Sequence, residues 1–302
     1  EIIAKAWKRV INKKNLFIIG NYSIIKKQIN KIGIKIKINK IHSINTIENK
    51  NNLSVLDVPL KFESIFENNI VNTKKYVIKC LDIAHYLASS KKIKGFINAP
   101  IDKKKFNNKY LGVTEYLANK NNINEKFVMM IYNKKLSVVP LTTHLEIKDV
   151  TSKIKLEIIK KKILVLNNSY KKLFKKKPKI AVLGLNPHNS EDRKNSTENK
   201  IIKPAIKNLI KLGLNINGPY PADTVFNNQK KLKYNVVVGM YHDQVLAPFK
   251  ALYGFDAINI TLGLEYLRIS PDHGTAKDIA GLNKANPQSL ISAINFLNKI
   301  ND

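Results

Sequence analysis

Cysteine is almost absent from the 302-residue chain, which contains only Cys80. A single cysteine excludes a disulfide within the chain and a metal site built from several cysteines of one chain. This usage fits a reducing compartment. Long apolar runs are also missing, since none approaches the roughly 20 residues needed to span a bilayer, and no secretory signal is visible. We therefore expect a cytoplasmic protein with no membrane partner.

Arginine and acidic residues are scarce, whereas lysine is abundant. The chain has 53 Lys and Arg residues against 22 Asp and Glu, a formal net charge of +31 at pH 7, and its arginines are Arg9, Arg193 and Arg268. Such a charge suggests nucleic-acid binding, but the lysines are spread along the whole chain, and their abundance together with Asn and Ile is typical of an AT-rich coding sequence. We favour a dispersed lysine coat over a basic binding face and expect no nucleic-acid partner. A phosphorylated or carboxylated substrate would still benefit from the positive field.

Apolar runs alternate with helical patterns, which predicts an α/β sheet that is largely parallel with some antiparallel pairing. The predicted strands are 16–20, 94–100, 127–132, 136–142, 180–185, 236–240 and 257–262. The predicted helices are 147–173, 201–212, 275–282 and 288–300, and 36–52 has the composition of a variable surface loop. A short turn between 127–132 and 136–142 indicates a hairpin. No Pro/Gly/Ser-rich linker divides the chain, so we expect one unit over 1–302 with two interleaved lobes.

Three of the six histidines follow three different predicted strands. His144 comes after the strand at 136–142, His188 after 180–185 and His242 after 236–240. Ligands of open α/β sheets bind at the carboxyl ends of strands. Imidazole is a common ligand of divalent metal ions, and a three-histidine set leaves positions open for a substrate. Taken alone, each histidine could simply be a hydrogen-bonded structural residue at the end of its strand. Three histidines at equivalent positions favour a metal site.

Other polar residues also follow short apolar elements. Lys250, Asn259 and Arg268 are candidate anion or substrate contacts, and Arg268 stands out because a guanidinium holds carboxylate or phosphate with a planar fork. Asp223 lies in a proline-rich turn, where it either caps the next helix or lies near the metal or substrate. Asp243 follows His242 directly and is a candidate to orient its ring.

Several motifs occur together and in order along the chain. They are GVTEYLA (112–118), TTHLEIKDV (142–150), GLNPH (184–188), GPYPADTVF (218–226), YHDQVLAPFK (241–250) and NITLGLEYLRISPDHGTAKDIAG (259–281). Together they resemble the 4-hydroxythreonine-4-phosphate dehydrogenase family, the NAD-dependent enzymes of pyridoxal 5'-phosphate (vitamin B6) biosynthesis. The resemblance covers essentially the whole chain from Glu1 onward, and we expect the family's first strand and its Gly-Asp-Pro loop to be missing.

The resemblance implies the fold and the site residues. The expected fold has two α/β lobes with a mostly parallel mixed sheet and a cleft between the lobes, as in isocitrate and isopropylmalate dehydrogenases. The family is a homodimer whose subunits share each active site, so His242 is expected to complete the metal set of the partner's His144 and His188. Substrate contacts carry over to Thr114, Lys250, Asn259 and Arg268. The segment His273-Gly274-Thr275-Ala276 resembles the cofactor loop of the wider group, and no Gly-x-Gly-x-x-Gly motif is needed.

The resemblance also implies the reaction. The expected activity is the NAD- and divalent-metal-dependent oxidation of 4-phosphooxy-L-threonine to 2-amino-3-oxo-4-phosphooxybutanoate, which decarboxylates to 3-amino-2-oxopropyl phosphate. The metal could be zinc, magnesium, manganese or cobalt, although imidazole ligands favour the transition metals. The general base is not identified, and Asp243 and Asp223 are its candidates.

The chain departs from the family pattern at two places. Val113 stands where the family has His before Thr, which removes a donor that could meet phosphate. Asn189-Ser190-Glu191 replaces the small Ala-Gly pair after Asn-Pro-His. These departures leave two alternatives open: a sister dehydrogenase acting on another 4-phosphorylated hydroxy acid, such as a phosphothreonate or phosphoerythronate, or a decayed homologue.

Overall fold

A computed structural model gives the fold of the chain. It describes residues 1–10, 16–47, 51–66, 70–102, 106, 110, 112–123, 126–227, 233–254 and 256–301. The helices are α1 (Ile2–Arg9), α2 (Tyr22–Lys31), α3 (Ile70–Ser89), α4 (Val113–Lys120), α5 (Ile147–Lys153), α6 (Leu156–Phe174), α7 (Lys203–Lys211), α8 (Ala222–Val225), α9 (His242–Tyr253) and α10 (Gln288–Asn301). The strands are β1 (Phe17–Gly20), β2 (Ile38–Ile41), β3 (Leu53–Asp57), β4 (Gly95–Ile97), β5 (Val128–Tyr132), β6 (Ser137–Pro140), β7 (Ile180–Leu183), β8 (Ile216–Tyr220), β9 (Val236–Gly239), β10 (Ile258–Leu262) and β11 (Leu267–Pro271).

The chain divides into two compact units, the first formed by Glu1–Leu117 with Tyr266–Asp302 and the second by Ala118–Glu265. In the first unit, β3 lies between β1 and β2, and both pairs are parallel. Strand β11 also pairs with β4 in parallel, with Arg268 opposite Phe96. This pairing fixes the backbone of Arg268 beside β4.

In the second unit the strands run in the order β10-β5-β6-β9-β7-β8. The β10–β5 and β5–β6 pairs are antiparallel, whereas β6–β9, β9–β7 and β7–β8 are parallel. Every residue of β6, β7 and β9 is buried, as expected for parallel strands covered on both faces. The predicted α/β class with a mostly parallel mixed sheet is therefore confirmed.

Helix α9 is fixed to this sheet by its apolar face. Val245, Leu246 and Phe249 are buried in one core cluster with Val138 of β6 and Val237 of β9. Burying side chains of this size contributes roughly 1.5–3 kcal/mol each. The first turn of α9, which carries His242 and Asp243, is consequently held at the end of β9.

Most predicted elements lie where the apolar patterns put them, and the hairpin of β5 and β6 is confirmed. The predicted helix over 147–173 is instead two helices, because the buried Ile154 and then Lys155 take extended backbone angles. The predicted helix over 275–282 is only a short 3-10 turn at Lys277–Ile279. Ala276 and Gly281 flank it in left-handed conformations, which do not continue a right-handed helix.

One further expectation is corrected. The segment 36–52 is not wholly a surface loop, since β2 lies within it and pairs with β3; residues 48–50 of that segment fall outside the described part of the chain. Pro248 lies inside α9. In the described part of the chain, no helix combines the length and apolar composition that crossing a membrane requires.

Candidate active site

The three strand-end histidines follow three adjacent parallel strands. Strand β9 lies between β6 and β7, with Val238 opposite both Val139 and Val182. The three carboxyl ends therefore meet at the same edge of the sheet, and His144, His188 and His242 each lie a few residues beyond that edge. The predicted placement of the histidines after strands is confirmed, and the strand order adds that these three strands are adjacent.

His242 is the first residue of α9, and its ring is oriented by the next residue. Its Nδ1 lies 2.6 Å from Oδ1 of Asp243, and the two side chains are 41% and 80% exposed. A carboxylate accepts a hydrogen bond from an N–H group, so Nδ1 of His242 carries the proton. The other ring nitrogen, Nε2, is left to bind a metal ion. The centroid of the His242 ring lies 6.4 Å from that of His144.

Two polar side chains tie the strand ends together. Gln244 accepts a hydrogen bond from the Met240 N–H at 2.7 Å and donates one to the Gly184 carbonyl at 2.7 Å, which links the ends of β9 and β7. Thr142 donates from its hydroxyl to the Met240 carbonyl at 2.7 Å, which links β6 to β9. Thr142 is buried and Gln244 partly buried, and hydrogen-bonded side chains shielded from water help to hold the backbone in one arrangement. The loops that carry the histidines thus start from a rigid edge.

The His188 loop is wound in the left-handed direction. The φ angles of His188, Asn189, Ser190, Glu191 and Asp192 lie between 49° and 63°. Non-glycine residues pay roughly 1–2 kcal/mol each for this conformation and seldom adopt it in succession. The loop therefore needs strong contacts to keep its shape, and the Asn189 amide provides one by donating to the Pro219 carbonyl at 3.0 Å.

Relief of this strain gives a stability prediction. We expect Glu191→Gly to raise the free energy of unfolding by about 1 kcal/mol, because glycine adopts positive φ without a steric penalty. The Glu191 side chain is 71% exposed and, among the residues that the structure describes, forms a 3.6 Å ion pair with Arg193. Such exposed pairs contribute little, so its loss costs little. Urea denaturation of the two proteins measures the difference.

Glu191→Ala is the matched control for that measurement. It removes the same carboxylate but keeps the Cβ atom that makes positive φ unfavourable, so it should not gain stability. Equal stability of the glycine and alanine variants would contradict the left-handed geometry of this loop.

The histidines do not form a closed metal site among the residues that the structure describes, where no group of three or more His, Cys, Asp or Glu side chains is arranged to hold a metal ion. The chemistry of the donors nevertheless suits such an ion, because imidazole nitrogens bind divalent metals and Asp243 fixes the tautomer of His242. The assignment of His144, His188 and His242 as metal ligands stays a prediction.

A buried arginine cluster lies in the first unit. Arg268 is 4% exposed, donates from Nε to Asn98 Oδ1 at 2.7 Å and from Nη1 to Thr114 Oγ1 at 3.2 Å. Burial lowers the pKa of the Arg268 guanidinium to about 10, partly offset by the charge of Glu115, so the group stays protonated at neutral pH. The structure thus brings together two of the predicted substrate contacts, Thr114 and Arg268.

The other predicted contacts differ in their surroundings. Asn259 lies on β10, and its Oδ1 is buried without a hydrogen-bond partner in the structure. Lys250 is exposed on α9, and Asp223 is exposed in the first turn of α8 rather than at its cap, which is Pro221. A buried acceptor without a partner costs free energy, so Asn259 is the one of these three whose environment points to a ligand.

The segment His273-Gly274-Thr275-Ala276 forms an irregular loop after β11. His273 Nδ1 lies 2.9 Å from the Gly274 carbonyl, while its Nε2 is buried without a partner in the structure. Gly274, Thr275 and Ala276 are exposed, and Ala276 has a φ of 45°. Exposed backbone with one inward imidazole nitrogen is compatible with the predicted cofactor contact, which stays a prediction.

Sequence reasoning missed two residues of these clusters. Asn98 follows β4 as the histidines follow their strands, so the strand-end rule applied to β4 would have found it. Glu198 is fully buried and accepts hydrogen bonds from the His188 loop. Nothing in the apolar pattern around Glu198 indicates that this side chain is buried. Only the folded chain identifies it.

Comparisons with known proteins give a consistent result. The family model described as the pyridoxal phosphate biosynthetic protein PdxA matches residues 12–297. A 4-hydroxythreonine-4-phosphate dehydrogenase of Sulfurihydrogenibium sp. (strain YO3AOP1) is 38% identical over 304 residues, which cover 97% of this chain and 92% of that protein. One of Aquifex aeolicus (strain VF5) is 36% identical over 310 residues, covering 100% and 94%.

A solved structure is similar over the same extent. The crystal structure of a 4-hydroxythreonine-4-phosphate dehydrogenase from Klebsiella pneumoniae superimposes with a TM-score of 0.89 at 28% identity, covering 100% of this chain and 95% of that chain. The similarity therefore extends across both compact units and all of the strand ends described above.

Proposed function

The chain belongs to the family of the pyridoxal phosphate biosynthetic protein PdxA, and we propose that it is a 4-hydroxythreonine-4-phosphate dehydrogenase. The proposed reaction is the oxidation of 4-phosphooxy-L-threonine to 2-amino-3-oxo-4-phosphooxybutanoate, with NAD⁺ as the oxidant and a divalent ion at the three histidines. The β-keto acid then loses CO₂ to give 3-amino-2-oxopropyl phosphate.

One observation carries this proposal: three histidines lie beyond the carboxyl ends of three adjacent parallel strands. That edge is where α/β sheets bind ligands. When bound, a divalent ion would lower the pKa of the substrate hydroxyl, and NAD⁺ would accept the hydride from its carbon. His144, His188 and His242 would hold the ion, and Asp243 would keep the Nε2 of His242 available to it.

The substrate is an anion, and the chain supplies cations and donors for it. Arg268 carries a fixed positive charge and is held in place by Asn98 and Thr114, which suits recognition of phosphate or carboxylate. Lys250 would add a second positive charge. The buried Oδ1 of Asn259 would accept a hydrogen bond from the substrate ammonium or hydroxyl.

Asp243 and Asp223 are the candidate proton acceptors for the hydroxyl. Asp243 already accepts a hydrogen bond from His242, so we assign it to orienting that ring. This leaves Asp223 as the candidate proton acceptor, and the His273-Gly274-Thr275-Ala276 loop is proposed to contact NAD.

We further propose that a second copy of the chain completes each site. Leu145 and Ile147 follow His144 and are 38% and 67% exposed. Large apolar side chains exposed beside a site are typical of a protein interface. A homodimer would cover them. Within one chain His242 lies 6.4 Å from His144, and we propose that in the dimer it serves instead the partner's site, an arrangement that mixed dimers distinguish from a site within one chain.

The test is NADH formation from a panel of phosphorylated hydroxy acids, with and without EDTA. We expect turnover of 4-phosphooxy-L-threonine, loss of turnover in EDTA, and recovery when Zn²⁺, Mn²⁺, Co²⁺ or Mg²⁺ is added back. Unphosphorylated 4-hydroxy-L-threonine is the control and should react far less, because it lacks the anion that Arg268 would bind. Turnover that EDTA leaves unchanged would overturn the metal assignment.

A second candidate function is favoured by one residue. Val113, the first residue of α4, is adjacent to Thr114 and stands where the family has a histidine. Because this change lies beside a proposed substrate contact, it supports a sister dehydrogenase that acts on another 4-phosphorylated hydroxy acid, a phosphothreonate or phosphoerythronate. The same panel decides between the two, because the preferred substrate is the one with the higher kcat/KM, and absence of turnover with every member would indicate a decayed homologue.

A further inference from the structure

Glu198 is a fully buried carboxylate at the end of β7. Its side chain is inaccessible to solvent, although glutamate is seldom buried unless it is paired. It begins the π-helical turn Glu198–Ile202 that leads into α7. Its carboxylate accepts hydrogen bonds from the loop that carries His188.

Four donors of that loop converge on the Glu198 carboxylate. Oε1 accepts from the N–H groups of Leu185 and Asn186 at 2.9 and 2.8 Å, and from the Asn186 side-chain amide at 3.2 Å. Oε2 accepts from the same amide at 3.2 Å and from the Ser190 hydroxyl at 2.8 Å. Hydrogen bonds to an ionised acceptor are about twice as strong as neutral ones.

The carboxylate is ionised in this environment. Burial alone would raise the pKa of Glu198, but the hydrogen bonds from Asn186 and Ser190 outweigh burial and hold the pKa below its usual value. At neutral pH the loop therefore surrounds a negative charge. The donors to the Glu198 carboxylate lie on both sides of His188 in the sequence.

The loop needs this clamp because its own conformation is unfavourable. All of the residues from His188 to Asp192 have positive φ. Asn186 and Ser190 flank His188 two residues away on either side, and both are bonded to the same carboxylate. The backbone of His188 is thus fixed at both ends by one side chain from another element.

We propose that Glu198 is a positioning residue for His188, which it aims at the metal through Asn186 and Ser190. The inference rests on the proposed function, since it assumes that His188 is a ligand. Glu198 does not touch the ion in this proposal. It sets the ring position of a residue that does, as the outer partners of metal ligands generally do.

The test measures metal binding rather than turnover. The metal-free full chain is titrated with Co²⁺, and the absorbance of the bound ion gives the dissociation constant. We expect Glu198→Gln to weaken Co²⁺ binding by roughly 10–100-fold, as loss of an outer partner does in other sites. The absorption spectrum should also change, because a displaced ligand alters the geometry around cobalt. A saturating concentration of metal should restore part of kcat and leave KM for NAD⁺ unchanged.

Glu157→Gln is the matched control. Glu157 lies on α6 of the same unit, is 78% exposed and pairs only with Lys160 in the structure. Its replacement should leave Co²⁺ affinity unchanged. If Glu198→Gln does not fold, Ser190→Ala keeps the carboxylate and removes one donor, and we expect it to weaken Co²⁺ binding by roughly 10-fold.

The outcomes separate the two proposals. Failure of the unmodified chain to bind Co²⁺ would overturn the metal assignment and this inference together. Suppose instead that the unmodified chain binds Co²⁺ normally and that a folded Glu198→Gln or Ser190→Ala variant shows the same affinity and spectrum. That result would overturn the positioning role of Glu198 alone.

Discussion

Replacing His242 with alanine is expected to lower kcat/KM for 4-phosphooxy-L-threonine by more than about 100-fold, because loss of a partner that merely supports a metal ligand already costs 10–100-fold. His242 follows β9, the middle strand of the three that carry the histidines. Its ring is the one that Asp243 orients. Co²⁺ titration of the same variant should show a parallel loss of affinity.

Two further variants, one expected to lose less activity than His242→Ala and one expected to lose none, serve as comparisons. Asp243→Asn keeps the ligand and removes the negative partner of Nδ1, so we expect a loss of roughly 10–100-fold. His42→Ala removes an exposed histidine of the first unit and should leave kcat/KM unchanged. If His242→Ala and His42→Ala retain equal activity, His242 is not a metal ligand.

Mixed dimers test which chain supplies His242. We combine His242→Ala chains with His188→Ala chains, each inactive alone. If His242 acts in the partner's site, every mixed dimer has one intact site, so random mixing of equal amounts restores about a quarter of the original activity in a two-fold symmetric dimer. If all three histidines act within one chain, mixing restores none.

The positions of the three histidines could be predicted because of the strands before them. Buried parallel strands are continuous apolar runs, as in Val236-Val237-Val238, and such a run ends visibly where a polar residue follows. The order of the strands could not be predicted in the same way. Pairing of Val238 with Val139 and Val182 joins segments far apart in the chain, and no local pattern encodes it.

Local backbone geometry was a second feature that the sequence did not predict. The apolar spacing over 275–282 is helical, yet Ala276 has a φ of 45° and the helix does not form. The sequence does show that Asn189-Ser190-Glu191 stands where the family has two small residues. The bond from Ser190 to a buried Glu198 could not be predicted, because Glu198 enters the site through tertiary packing and not through spacing.

Replacing Arg268 with lysine is expected to raise KM for the phosphorylated substrate by roughly 10–100-fold, since a hydrogen bond to a charged group is worth about 1.5–3 kcal/mol. Lysine keeps the positive charge but lacks the planar fork. It cannot reproduce the bonds that the arginine donates to Asn98 and Thr114. KM for NAD⁺ should change little, which steady-state kinetics with each substrate varied in turn will show.

The pH dependence of that variant distinguishes a substrate contact from a merely structural arginine. Burial lowers the pKa of Arg268 only to about 10, so the original protein keeps its charge throughout the neutral range. A lysine at the same buried position loses its proton more readily, because burial lowers its pKa from a smaller starting value. KM of Arg268→Lys should therefore rise with pH more steeply than KM of the original protein. Thr114→Val keeps the guanidinium and should raise KM less, without the added pH dependence. A KM that does not change in Arg268→Lys at any pH would remove Arg268 from the substrate site.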